Sequence, residues 1–99
     1  MLEIMNAFRK KLLAELEEQL VRVPHITLQE YVSATRTNID ELNKEIDRMI
    51  EEDGVAAARR KLFWKVNVLT VIYKERETGQ SFSKEEVIQH AADNGLLLE

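Results

Sequence analysis

The chain has 99 residues, 44% of them apolar and 32% charged, with a formal charge of −4 at pH 7. That length suits one domain able to bury its own core, and the apolar share excludes wholesale disorder. Cysteine is absent, which excludes a disulfide framework, thiolate catalysis and thiolate zinc sites, and fits a reducing, cytoplasmic setting.

The first segment runs from about Leu2 to Arg22. Ile4, Phe8, Leu12, Leu16 and Leu20 recur every four residues, with Met5 and Leu13 widening the stripe, which is a helical period. Such a helix would be roughly 30 Å long at a rise of about 1.5 Å per residue. Glu3, Arg9, Lys10 and Lys11 interrupt any apolar leader, so no secretory signal is expected. Pro24 cannot donate to the helix ladder and pushes Val23 out of the α region, so the helix should stop there.

Thr27-Leu28-Gln29-Glu30 has the form of a capping box, opening a short helix with Leu28, Tyr31 and Val32 as its contacts. Ser33, Thr35, Thr37 and Asn38 compete for backbone hydrogen bonds, so a break is expected near residues 34–37. Thr37 or Asn38 can cap a third helix, which runs to about Asp53. Its apolar seam is Ile39, Leu42, Ile46 and Met49, in a coiled-coil-like 3-4-3 spacing. Gly54 ends it and can take the left-handed conformation.

The fourth segment, from Val55 to about Glu77, contains the β-branched run Val66 to Tyr73. A helix is the preferred reading, because Leu62, Val66, Leu69 and Tyr73 keep a 4-3-4 spacing. The alternative is an α+β fold with a hairpin near residues 63–82. As a helix the segment is apolar on most sides, which marks a central or an interface element. Its most apolar stretch, Leu62 to Tyr73, is too short for a membrane span and contains Lys65. Gly79 closes it. Ser83-Lys84-Glu85-Glu86 is a second capping box, and the helix it opens ends near Gly95. The stretch from Glu86 to Gly95 resembles the first helix and turn of a helix-turn-helix. Only Leu96 to Glu99 follow where a recognition helix would be needed, so it is read as a capped terminal helix.

The fold expected is therefore an all-α bundle of four to five helices spanning residues 1–99 as one domain. Little chemistry is apparent. The only histidines are His25 and His90. Glu86 and His90 share a helix face at i,i+4, but a zinc site needs more ligands than these two, so they read as a helix-stabilising pair. His25, after Pro24, reads as a solvated loop residue. No serine sits in a nucleophile elbow and no glycines lie close enough to cradle phosphate. No enzymatic activity, cofactor or metal is expected.

Two kinds of partner are expected instead. Ile39, Leu42, Ile46 and Met49, together with Phe63 and Trp64 on the fourth helix, offer apolar surface for binding another protein or a second copy of the chain. This is the reading of a small regulatory or adaptor protein, acting as a homodimer. Alternatively, Arg59, Arg60, Lys61 and Lys65 mix cations with aromatics and could contact nucleic acid. Against this, residues 1–53 hold 7 Lys/Arg and 12 Asp/Glu, while residues 54–99 hold 7 and 6. The four cations, which also spread around the helix, can therefore serve to bridge the acidic first half. No membrane partner is expected.

Overall fold

The computed structural model describes residues 2–97, with side chains from residue 6 onward. It forms five helices: α1 (Leu2–Arg22), α2 (Leu28–Ala34), α3 (Ile39–Asp53), α4 (Val55–Thr78) and α5 (Lys84–Asp93). Among the described residues there is no strand. The hairpin alternative therefore fails, since residues 63–78 continue α4 without a break. Helix prevails over β-propensity there because the helical period carries Leu62 and Val66 into the core. Thr70 also satisfies its hydroxyl within the helix, donating to Val66 O at 2.8 Å.

The boundaries follow local chemistry. α1 stops at Arg22, two residues before Pro24. Thr27 caps α2 and Ser83 caps α5, each in a complete capping box, so two otherwise orphaned amides are satisfied reciprocally at each start. Asn38, not Thr37, caps α3, accepting from Glu41 N at 2.9 Å. α2 and α5 end in the same way. Thr37 N donates to Val32 O at 2.8 Å past Arg36, and Leu96 N donates to Ala91 O at 2.8 Å past Gly95. This is the Schellman closure, and Arg36 takes its left-handed position with φ 58°.

Gly54 departs from the expected left-handed cap. Its φ of 88° and ψ of 165° lie in a region essentially restricted to glycine. The residue ends α3 and starts α4 at once: its N–H donates to Ile50 O at 2.9 Å, and its carbonyl accepts from Ala58 N at 3.0 Å. A Cβ there would meet nothing within 4 Å, so any penalty is purely backbone strain. Gly54→Ala is expected to lower stability by about 1–3 kcal/mol, measured as a shift of the urea midpoint without change in slope.

α1, α3 and α4 pack against one another; α2 leans on α1 and α3, and α5 packs on α4 alone among the helices. Leu12, Leu16 and Leu20 from α1 meet Leu42, Ile46, Met49 and Ile50 from α3 and Ala58, Leu62, Phe63 and Val66 from α4. Tyr31, Val32, Ala91 and Leu96 complete this core. Among the residues whose side chains are described, the buried stripe on α1 begins at Leu12. Phe8 is exposed, and the next residue, Arg9, reaches α3 through an ion pair with Asp47 at 2.7 Å. Ile4 and Met5, expected in the same stripe, lie outside the residues whose side chains are described, as do Leu98 and Glu99. The molecule measures 46 × 29 × 20 Å.

Candidate functional site

The surface that stands out is on α4. Trp64, Val68 and Ile72 fall at successive i+4 positions, and each is 37% exposed. They form a stripe on the side of α4 away from Leu62 and Val66. Beside the stripe lies an open groove of about 400 Å³. Val68, Leu69 and Ile72 form one wall, Tyr31, Thr35 and Thr37 the other, and Leu42 belongs to the same lining. Its charged lining residues are Glu45 and Lys65, which are joined in an ion pair. Burial, helped by the Glu45 carboxylate, pushes the Tyr31 hydroxyl above the usual tyrosine value, so the phenol is neutral at physiological pH. An occupant would meet an apolar lining with hydroxyl groups along one side and an already neutralised charge pair.

The residues expected at a protein interface divide sharply. Leu42, Ile46 and Met49 are buried in the core and Ile39 packs against it. Phe63 is also buried, only 7% exposed. The α3 seam is thus largely covered by α1 and α4 of the same chain; of the six residues Trp64 is exposed, Ile39 is partly buried and Leu42 reaches the groove lining. Val68, Ile72 and Tyr31 join Trp64 at the site. The i,i+4,i+8 spacing of Trp64, Val68 and Ile72 is legible in the sequence, but the side of α4 left uncovered is decided by how α5 and α3 dock.

The basic segment is also dispersed. Arg59 Nε donates to Glu15 Oε2 on α1 at 2.7 Å. Lys61 pairs with Asp53 and Lys65 with Glu45, both on α3. Arg60 is exposed and makes no ion pair among the described residues. Three of the four cations thus tie α4 to the acidic first half of the chain.

No protein-family model matches the chain, and no curated protein or solved structure matches it. The site therefore rests on its own geometry. Among the described residues no group of three or more His, Asp or Glu side chains is placed to hold a metal ion. Among the described residues no helix is long and apolar enough to cross a membrane.

The histidines differ from each other. His25 is an exposed loop residue with φ 61°. His90 is not paired with Glu86, whose carboxylate accepts instead from Ser83 N at 3.2 Å. The imidazole turns inward and meets Asn67 Oδ1 at 2.6 Å. Asn67 is fully buried within α4, and its Nδ2 donates to Val87 O on α5 at 3.1 Å. This polar bridge was invisible in the sequence, where Asn67 lies inside an apolar run.

Proposed function

We propose that this protein is a non-enzymatic binding module that self-associates as a two-fold dimer through the exposed stripe of α4. The observation that carries the reading is the adjacency of the Trp64–Val68–Ile72 stripe to the apolar groove. Val68 and Ile72 belong to both the stripe and the groove lining, so with Trp64 they make one continuous apolar face that can meet the same face of a second copy across a two-fold axis. The pairing of Lys65 with Glu45 makes such a contact less costly than an unpaired charge would, since covering the rim leaves neither charge without a partner. Trp64 is the anchor, as large aromatics at the centre of an interface tend to carry most of its energy.

Trp64 is the only tryptophan, so its fluorescence reports on this surface alone. Sedimentation velocity over a concentration series should show a monomer–dimer equilibrium, with the Trp64 emission moving to shorter wavelength as dimer forms. Trp64→Ala should weaken the dimer by at least about tenfold, which is about 1.4 kcal/mol, while leaving the circular dichroism spectrum unchanged. A chain that stays monomeric at the highest soluble concentration overturns the dimer.

The second reading is nucleic-acid binding through Arg59, Arg60, Lys61 and Lys65. The pairing of Arg59, Lys61 and Lys65 with carboxylates weighs against it, because phosphate contact would have to displace those partners. It requires binding that weakens steeply with salt, so binding that is flat in salt, or absent at low salt, removes it.

A further inference from the structure

The groove beside the α4 stripe holds one polar group that the chain itself leaves unused. α2 leans on α1 and α3 but not on α4. A recess of about 400 Å³ therefore remains between Tyr31 of α2 and Val68, Leu69 and Ile72 of α4, with Leu42 and Glu45 of α3 in the same lining. Small-molecule sites typically have volumes of about 300–1,000 Å³ and apolar walls with a few polar groups. Tyr31 is only 5% exposed. Its backbone carbonyl accepts from Thr35 Oγ1, but among the described residues its hydroxyl makes no hydrogen bond. The hydroxyl oxygen is not sealed in, because among the described residues the only fully enclosed side-chain oxygen or nitrogen without a partner is Asp47 Oδ1. It therefore opens onto accessible space, and the space that Tyr31 lines is this groove.

The other polar groups of the lining are committed within the chain. Thr35 Oγ1 donates to Tyr31 O at 3.0 Å. Its proton is used there, so in the 3.0 Å contact between the two threonine hydroxyls Thr37 is the donor. Lys65 and Glu45 hold each other. The Tyr31 O–H is thus the hydroxyl donor left for an occupant. Burial, and then the Glu45 carboxylate, hold the phenol pKa above its ordinary value, so the proton stays in place at physiological pH.

These commitments decide the chemistry of the occupant. A pure hydrocarbon would exclude water from the phenol and leave its O–H unpaired, which weakens binding. An anion would have to draw Lys65 away from Glu45, and a cation Glu45 away from Lys65. Either exchange strands a charge in a largely apolar lining. An uncharged molecule with an apolar body and an acceptor oxygen satisfies every group.

We propose that the groove between α2 and α4 is a binding site for a small uncharged amphiphile, whose oxygen accepts from Tyr31 Oη and whose hydrocarbon body lies along Leu42, Val68, Leu69 and Ile72. This goes beyond the dimer reading and does not depend on it.

The test titrates octanol, octanoate and octylammonium, three probes of one chain length, into the full chain and follows amide and methyl NMR shifts. The protein is kept at a concentration where sedimentation velocity shows monomer, so failure of the ligand site and failure of the dimer are read separately. Octanol should give saturable shifts centred on Leu42, Val68, Leu69 and Ile72. It should bind at least about tenfold more tightly than either charged probe, since an unpaired charge is costly to move into an apolar lining. Hexanol should bind roughly tenfold more weakly than octanol, because it buries less hydrocarbon. Tyr31→Phe removes an oxygen that bonds to no described residue, so the circular dichroism spectrum should be unchanged and the urea midpoint should not fall. Octanol affinity should nevertheless drop by at least about threefold, the effect of one lost hydrogen bond. Shifts that fail to saturate up to the solubility limit of octanol overturn the site, as do shifts centred elsewhere, for example at the exposed Phe8 or Val21. So does a charged probe that matches octanol, hexanol that binds as tightly as octanol, or a Tyr31→Phe variant that binds octanol as well as the parent.

Discussion

Ile46→Ala is expected to lower the unfolding free energy by about 2–5 kcal/mol, the range for truncating a large aliphatic side chain in a packed core. Ile46 is fully buried between α1 and α4, and a helical neighbourhood this tightly packed can collapse only partly around the void. For a domain of this size each 1 kcal/mol lowers Tm by roughly 4–8 °C, so thermal and urea unfolding will both register the change. The variant also separates two roles of the α3 seam. If the seam serves the core alone, Ile46→Ala weakens folding but leaves the dimer constant unchanged under conditions where the chain remains folded. A change in dimer affinity larger than the change produced by Trp64→Ala would return the seam to the interface.

The second large effect belongs to Asn67. Asn67→Ala deletes the Oδ1 that faces His90 Nδ1 and the Nδ2 donor to Val87 O; the imidazole nitrogen loses its partner, while Val87 O, inside α5, keeps its place in the helix ladder. Each buried unsatisfied group costs about 1–3 kcal/mol, and the lost side-chain volume adds to this. His90 can partly rehydrate because it is only half-buried, which keeps the loss toward the lower end of that range. Unfolding should shift to lower urea, and the loss should appear first as faster exchange of the α5 amides. Asn67→Leu fills the space but removes the same two hydrogen bonds. Equal stability of Asn67→Leu and the parent would show that the bridge contributes no net stability.

These two residues mark the limits of what could be read from sequence. Elements were legible because their signals are local. Thr27 with Glu30 and Ser83 with Glu86 are three residues apart and act within one turn, and Pro24 stops α1 by its own covalent geometry. The β-branched run in α4 was legible only through its 4-3-4 spacing, which outweighed residue preference. The exposed face of α4 is legible in part: the i+4 spacing of Trp64, Val68 and Ile72 is in the sequence, but Ile39, Leu42, Ile46, Met49 and Phe63 are apolar residues whose covering partner the sequence cannot supply. A periodic apolar face states that something covers it, and only the packing of α1 and α4 shows that the cover is internal. His90 illustrates the same point for polar groups. Sequence spacing pairs it with Glu86 on its own helix. The rotation of α5 against α4, a tertiary property, turns it toward a residue 23 positions away.

Gly54 has a consequence for how the chain reaches this structure. α3 and α4 are separated by a single residue, so bringing them together closes almost no loop, and the entropy of closure is at its minimum there. Pairing α1 with α4 instead requires ordering the whole stretch that contains α2 and α3. The α3–α4 hairpin is therefore the least costly first tertiary contact, and its Lys61–Asp53 and Lys65–Glu45 pairs bring opposite charges into register as it forms. Short separations of this kind give a low contact order, the property that makes helical domains fast folders. The glycine-only geometry of one joint thus acts on the rate of folding as well as on the shape of the bundle.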